Sequence, residues 1–415
     1  MNTKKLLLDR VIQFYEYSHD FNGIPFWRLI KDLNINKQDA TTIIGDLIRE
    51  KKVTLNFTLN PHIKQFEDFP IDKQLEVLND MGENTICVYP TEEILAEHID
   101  PDKHKDKPFT RMLLLGKPQL EPIFFEIEVL ENYFVDPRYI IFHSDYSGTI
   151  SYHSDSNMNE RDQVLLETFG IGYDENDERV VAVYLRYLSD LTPEHQQRWQ
   201  TYQVNRKCKI AYAYYQNTVL GEWADEVSIY EAFIEELYHI NNMSEKMFGK
   251  KLFKKDFKDG RPEHFRTIFR PTLDNYYSFI HVLDKMMSEN ISKDFFDGVI
   301  RLEEETERDD GKIIIRAKGT ISLLEEWLRK SVRIQNEEDF DLIFKPFKNI
   351  RKLRQKPAHA INKNLYSKEF YKEQNKLIHD CYTAVRMIRL LFANHPAVVG
   401  YKVPDWLFEG KITIY

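Results

Sequence analysis

Between residues 3 and 18, Leu7, Leu8, Val11, Ile12, Phe14 and Tyr15 recur at three- and four-residue spacing, the period of an amphipathic helix. A second short helix is predicted at about 25 to 32, with Pro25 at its favoured first-turn position. NKQDATTIIGDLIREKK reads as a third helix, and VTLNFTL after it alternates like a strand. From 66 to 225 the texture is mixed: TICVYP, RMLLLG and RYIIFHS have strand character, while TEEILAEHI and PIFFEIEVLENYF are expected as helices. DYSGTIS and IGYDENDE read as turns, VAVYLRYLSDL and PEHQQRWQTY as helices, and AYAYYQN as a buried strand or sheet face. Residues 226 to 415 are almost wholly helical in pattern, with EEETERDDG as an exposed acidic loop and Ser367 placed to cap the last long helix.

The 415 residues exceed the roughly 250 to 300 that one core usually serves, so several domains are expected. The fold class is α+β and α-rich: a winged-helix-like unit at 1–65, a mixed α/β middle domain at 66–225, and a helical region at 226–415. Three helices and a strand are what resemble a winged helix-turn-helix. The third helix offers Lys37, Gln38, Arg49, Lys51 and Lys52 for a DNA partner; the other reading is a packing or protein-docking module.

A formal net charge of -10 argues against coating nucleic acid by bulk electrostatics and confines any such contact to a local basic patch. Cys87, Cys208 and Cys381 are odd in number and far apart, which predicts reduced thiols rather than a disulfide framework or zinc site. The N-terminus has charges within its apolar run, and no stretch reaches the roughly 18 apolar residues of a membrane span. A cytoplasmic protein without a membrane partner is expected.

Phosphate loops of the GxxxxGK[ST] or GxGxxG type, HExxH, CxxC and GxSxG are all missing, so neither cofactor nor metal is predicted. Three arginines precede a histidine by five or six positions: Arg138 with His143, Arg354 with His359, and Arg389 with His395. Spacing therefore does not distinguish them, but context does. The first pair lies in a strand-like run, where an odd separation sends the two side chains to opposite faces. The last straddles a helix end in apolar surroundings, as a C-terminal cap would. Arg354 and His359 stand between two amphipathic helices, in a stretch with Lys348, Arg351, Lys352 and Lys356 and no acidic residue from 349 to 364. His239, His281 and His379 sit on helices and are expected as packed or surface histidines.

LRQKPAHAI in this helical setting resembles the R-x4-6-H motif of the HEPN superfamily, over about 270–395. The resemblance implies a four-helix bundle, a homodimer whose two motifs form one composite cleft, and metal-independent cleavage of RNA, in a defence or toxin setting. His359 would move the proton, since imidazole titrates near neutrality. Arg354 would meet the phosphorane charge with planar donors. Gln355, Lys356, Arg351, Lys352 and Lys348 would assist or bind nucleic acid. Gln355 stands where many members carry Asn, Asp or His. The alternative expectations are a non-catalytic nucleic-acid-binding or scaffolding regulator that dimerises through the bundle, and an accessory subunit docking by its acidic surface.

Overall fold

The structure, a computed structural model, describes residues 3–80, 85–100, 102–307, 313–331, 337–355 and 363–415. The chain divides into two compact units, Met1–Glu222 and Trp223–Tyr415, and belongs to the mixed α+β class. No described helix is long and apolar enough to cross a membrane.

In the first unit, α1 (Thr3–Tyr17) buries Leu7, Leu8, Val11, Ile12 and Tyr15, the stripe its period predicts. A short β1 (Ile24–Pro25) leads into α2 (Phe26–Leu33). Next, α3 (Lys37–Arg49) begins where the Asn36 side chain accepts a hydrogen bond from the Asp39 amide, satisfying one of the open donors of a helix start. β2 (Val53–Asn56), α4 (Ile71–Asp80) and β3 (Cys87–Pro90) follow, and β3 lies between β1 and β2 in an antiparallel sheet.

Beyond α5 (Glu92–His98), the expected strand RMLLLG is instead the helix α6 (Pro108–Leu114). Pro108 occupies a first-turn position, and Phe109, Leu113 and Leu114 share a buried stripe at helical spacing. The expected helix PIFFEIEVLENYF splits the other way. Its first part is β4 (Pro122–Phe125), burying alternate residues Ile123 and Phe125, while the rest is helical as expected, a 3-10 turn at Ile127–Leu130 running into α7 (Glu131–Val135).

Four further strands, β5 (Tyr139–His143), β6 (Ser147–Tyr152), β7 (Leu166–Asp174) and β8 (Arg179–Tyr184), join β4 in the antiparallel order β4-β8-β7-β6-β5. DYSGTIS is thus largely strand, and IGYDENDE is strand as far as Asp174 and the expected turn beyond it. In the second, Asp174 Oδ1 accepts the amides of Asn176 and Glu178, the side-chain turn that aspartate favours. VAVY belongs to β8, all of whose residues are buried, and α8 (Leu185–Ser189) starts only after it. Thr192 caps α9 (Pro193–Thr201). β9 (Cys208–Ile210) pairs with the distal half of β7.

The tyrosine run expected as strand is the helix α10 (Tyr212–Tyr215). It sets Tyr214 against Gly170, where an added Cβ would lie 2.1 Å from the ring. Only glycine's hydrogen fits that contact, so Gly170 fixes how closely helix and sheet approach.

The second unit opens with β10 (Val227–Ser228) and α11 (Ile229–Phe248). α12 (Leu273–Asp284) continues through a π-helical turn, Lys285–Glu289. EEETERDDG is corrected in part: Glu303–Glu307 is β11, paired antiparallel with β12 (Ile313–Ala317), and 308–311 lie outside the described residues. α13 (Thr320–Ser331) precedes α14 (Glu337–Gln355) and α15 (Glu369–Ala393). α16 (Asp405–Glu409) and β13 (Ile412–Thr413) end the chain, with β13 parallel to β10.

α15 packs against α11 and α14, and α12 packs against α14. Phe340, Ile343, Phe344, Phe347 and Ile350 of α14 form the stripe that this packing buries. Ser367 is not the N-cap of α15, which is Lys368 and has no side-chain cap; from one position further out its hydroxyl accepts the Glu369 amide at 3.3 Å. Arg389 is not a helix-end cap: it is buried within α15 and pairs with buried Glu236 of α11. His395 caps the following short turn, accepting the Ala397 amide at Nδ1.

Candidate functional site

The basic stretch selected by the sequence begins as the last two turns of α14. Lys348, Arg351, Lys352, Arg354 and Gln355 lie on this helix; Lys356 and His359 lie outside the described residues. The helix periodicity separates the members. Lys348 crosses to Glu325 of α13 at 2.7 Å, Lys352 and Gln355 are exposed, and Arg351 with Arg354, three residues apart, turn toward α12.

There they meet Asp284. Its side chain is fully buried, and its Oδ2 accepts a hydrogen bond from Arg354 Nη1 at 2.7 Å. Its Oδ1 lies 3.2 Å from Arg351 Nε, an ionic contact without hydrogen-bond alignment. A second carboxylate, Glu289, accepts another hydrogen bond from Arg354 Nη1, and it lies 3.9 Å from Arg351 Nη1. Unlike Asp284, it keeps 43% of its side-chain surface exposed.

Two acids five residues apart reach one guanidinium because of the π-helical turn. In an α-helix, positions separated by five residues lie roughly 140° apart around the axis. Over Lys285–Glu289 the hydrogen bonds span five residues, as from the Asn290 amide to the Lys285 carbonyl, and the wider turn brings Asp284 and Glu289 to the same side.

Electrostatics follow the geometry. The hydrogen bond from Arg354 holds the Glu289 carboxyl below its ordinary range, with Arg351 and Lys285 adding to the effect. The hydrogen bonds to Asp284 and Glu289 hold the Arg354 guanidinium even more firmly in its charged form. His281, exposed and one turn before Asp284, is pushed down by partial desolvation of its ring and then by the nearby charges of Lys285 and Arg354.

The sequence reading selected both arginines and missed both acids. One signal was present, since Asp284 falls among Leu283, Met286 and Met287 on the apolar face of its helix, and a charge there is buried only with a partner.

The other two arginine-histidine pairs are occupied with structure. Arg138 forms a fork with neighbouring Asp136, and His143 sits with its ring edge-on to Phe134. A separate cluster in the second unit links Lys258, Glu235, His239 and Tyr401: Lys258 Nζ is 2.5 Å from Glu235 Oε2, Glu235 Oε1 is 3.1 Å from His239 Nε2, and His239 Nδ1 shares a 2.7 Å hydrogen bond with Tyr401. It fastens the segment after α15 to α11. His239 is thus a packed histidine, while His281 and His379 are exposed. The three cysteines are free. Among the described residues, no group of three or more His, Cys, Asp or Glu side chains is arranged to hold a metal ion.

Comparison of the chain with protein-family models, with curated proteins and with solved structures gave no match.

Proposed function

We propose that this chain is a HEPN-type endoribonuclease that cleaves RNA without a metal ion, as a cytoplasmic homodimer with one composite site. The observation that carries the reading is the seating of Arg354. Its guanidinium stands at the end of α14, beside α12, on a fully buried carboxylate and with a quarter of its own surface open to solvent. A rigidly held, accessible guanidinium is what stabilisation of a phosphorane requires.

In the proposed reaction the RNA 2′-oxygen forms a bond to phosphorus while the bond from phosphorus to the 5′-oxygen breaks. His359 of one copy takes the proton from the 2′-hydroxyl, and His359 of the other gives a proton to the leaving 5′-oxygen. The products are a 2′,3′-cyclic phosphate and a 5′-hydroxyl. Arg354 bears the added charge of the pentacoordinate intermediate, and Lys352 with Gln355 line the approach.

For the N-terminal residues we propose a winged helix. The order helix, strand, two helices and strand, followed after α4 by a strand that lies between the other two, supports it. It would serve a defence or toxin effector as the trigger-sensing or DNA-binding unit.

A second reading, a non-catalytic nucleic-acid-binding or scaffolding regulator, is favoured by the same cluster, since two carboxylates already neutralise Arg354. Incubation of labelled RNA with the purified chain in EDTA separates the two. The nuclease reading expects cleavage that is lost in both Arg354→Ala and His359→Ala. Cleavage unchanged by these substitutions, or RNA bound and never cut by the dimer, sinks it.

A further inference from the structure

The two acids that hold Arg354 are unequal, and the inequality carries information. Asp284 is fully buried on α12, touches both arginines, and has no route to water. Glu289 shares the same Nη1 donor but is 43% exposed at the end of the π turn, with Arg351 Nη1 3.9 Å from its carboxylate as a second resting place. A buried carboxylate that loses its cation leaves an uncompensated charge, whereas an exposed one regains water. One acid is therefore a permanent seat and the other a removable cover.

We propose that Arg354 forms a phosphate site in which Glu289 occupies the place of a phosphate oxygen and leaves when a phosphodiester arrives, while Asp284 positions the guanidinium throughout. This rests on the nuclease reading only for the choice of RNA as the polymer. Charge counting fits the exchange. Arg351 and Arg354 against Asp284 and Glu289 sum to zero, and a singly charged phosphodiester in place of the Glu289 carboxylate restores the same balance. Arginine is suited to the role because its planar fork accepts carboxylate and phosphate oxygens in the same geometry. Glu289 thus acts as an internal competitor, and each RNA phosphate must displace it.

The proposal predicts opposite signs for two conservative changes on one guanidinium. Binding is read by fluorescence anisotropy with a labelled 2′-O-methyl RNA oligonucleotide, which keeps the phosphates and lacks the attacking hydroxyl, at one fixed salt concentration because such affinities depend steeply on salt. Glu289→Gln removes the competitor's charge and should tighten binding several-fold. Asp284→Asn removes the seat, and Arg354→Ala the donor; each should weaken binding about tenfold, the scale of one charge-assisted hydrogen bond.

General electrostatics expects both acid variants to tighten binding, since each removes a negative charge. A purely structural role expects both to weaken it or to leave it unchanged. Either pattern overturns the proposal, as does a wild-type chain that does not bind the oligonucleotide. If Asp284→Asn fails to melt cooperatively, Glu289→Gln and Glu289→Ala decide alone: tighter binding supports the exchange, and unchanged or weaker binding overturns it. Binding with these signs but no cleavage of ordinary RNA leaves the site standing and removes the nuclease reading, so the two fail separately.

Discussion

Arg389 and Arg354 belong to the same helical unit and both hold carboxylates, yet they are built for different ends. Arg389 and Glu236 are sealed: 5% and 0% of their side-chain surfaces reach solvent, and the guanidinium donates to both carboxylate oxygens. Arg354 has one sealed partner and one that meets water. A sealed pair has nothing left to offer a ligand, and its removal is felt in the core. The half-open arrangement keeps a fixed guanidinium whose outer contact can be exchanged. The same residue type in the same bundle is thus structural in one place and a candidate for chemistry in the other, and the exposure of the carboxylate makes the difference.

The contrast is broken most forcefully at the sealed pair. Arg389→Ala leaves Glu236 buried without its cation and should cost about 3–5 kcal/mol in urea-monitored unfolding. An equal loss from Arg354→Ala would erase the distinction. Asp284→Asn should come next, at about 1–3 kcal/mol, because it weakens a buried acceptor while the arginines it releases still reach solvent. Lys348→Ala, which removes a surface contact to Glu325, should change stability by less than about 0.5 kcal/mol.

Acid sharpens the comparison by direction rather than size. Burial pushes the Glu236 carboxyl up further than Arg389 pulls it back. A raised folded value means that its contribution to stability is present below its ordinary 4.5 and is lost as pH rises through the folded value. Glu289 is depressed, chiefly by the hydrogen bond from Arg354, so its contribution is present above 4.5 and is lost as pH falls through the folded value. The stability difference between wild type and Glu289→Gln should therefore shrink on acidification below pH 4.5. If that difference grows instead, the assignment of Glu289 as the ionised partner is wrong.

Much of the helical framework was legible because its signal is local. The stripes of α1 and α14 follow from spacing within a few residues. The failures have identifiable causes. RMLLLG is apolar at nearly every position, so alternation and helical period compete, and only Pro108 at the first turn favours the helix that forms. PIFF and VAVY are strands whose evidence lies in their partners, β8 for the one and both β4 and β7 for the other. The acidic strand β11 buries no apolar face; its backbone pairing with β12 holds it, and hydropathy carries no trace of that.

The candidate site divides along the same line. Arg354 and its basic neighbours could be picked out from composition, whereas Asp284 and Glu289 are brought together by one residue's worth of extra helix. No periodicity reports such an insertion. His359 and Lys356 lie outside the described residues, so the acid–base half of the motif rests on the sequence.

That extra residue is also a mechanical setting. If Lys285–Glu289 closed into ordinary α-helix at unchanged length, Glu289 would move from the side of Asp284 to a position about 140° around the axis. Glu289 would swing off Arg354, while Asp284, upstream of the turn, stayed where it is. In that state the chain would keep its fold and its seated arginine but carry no cover, an uncocked form reached by re-pairing one turn of backbone, with the length of the helix and all of its charges unchanged.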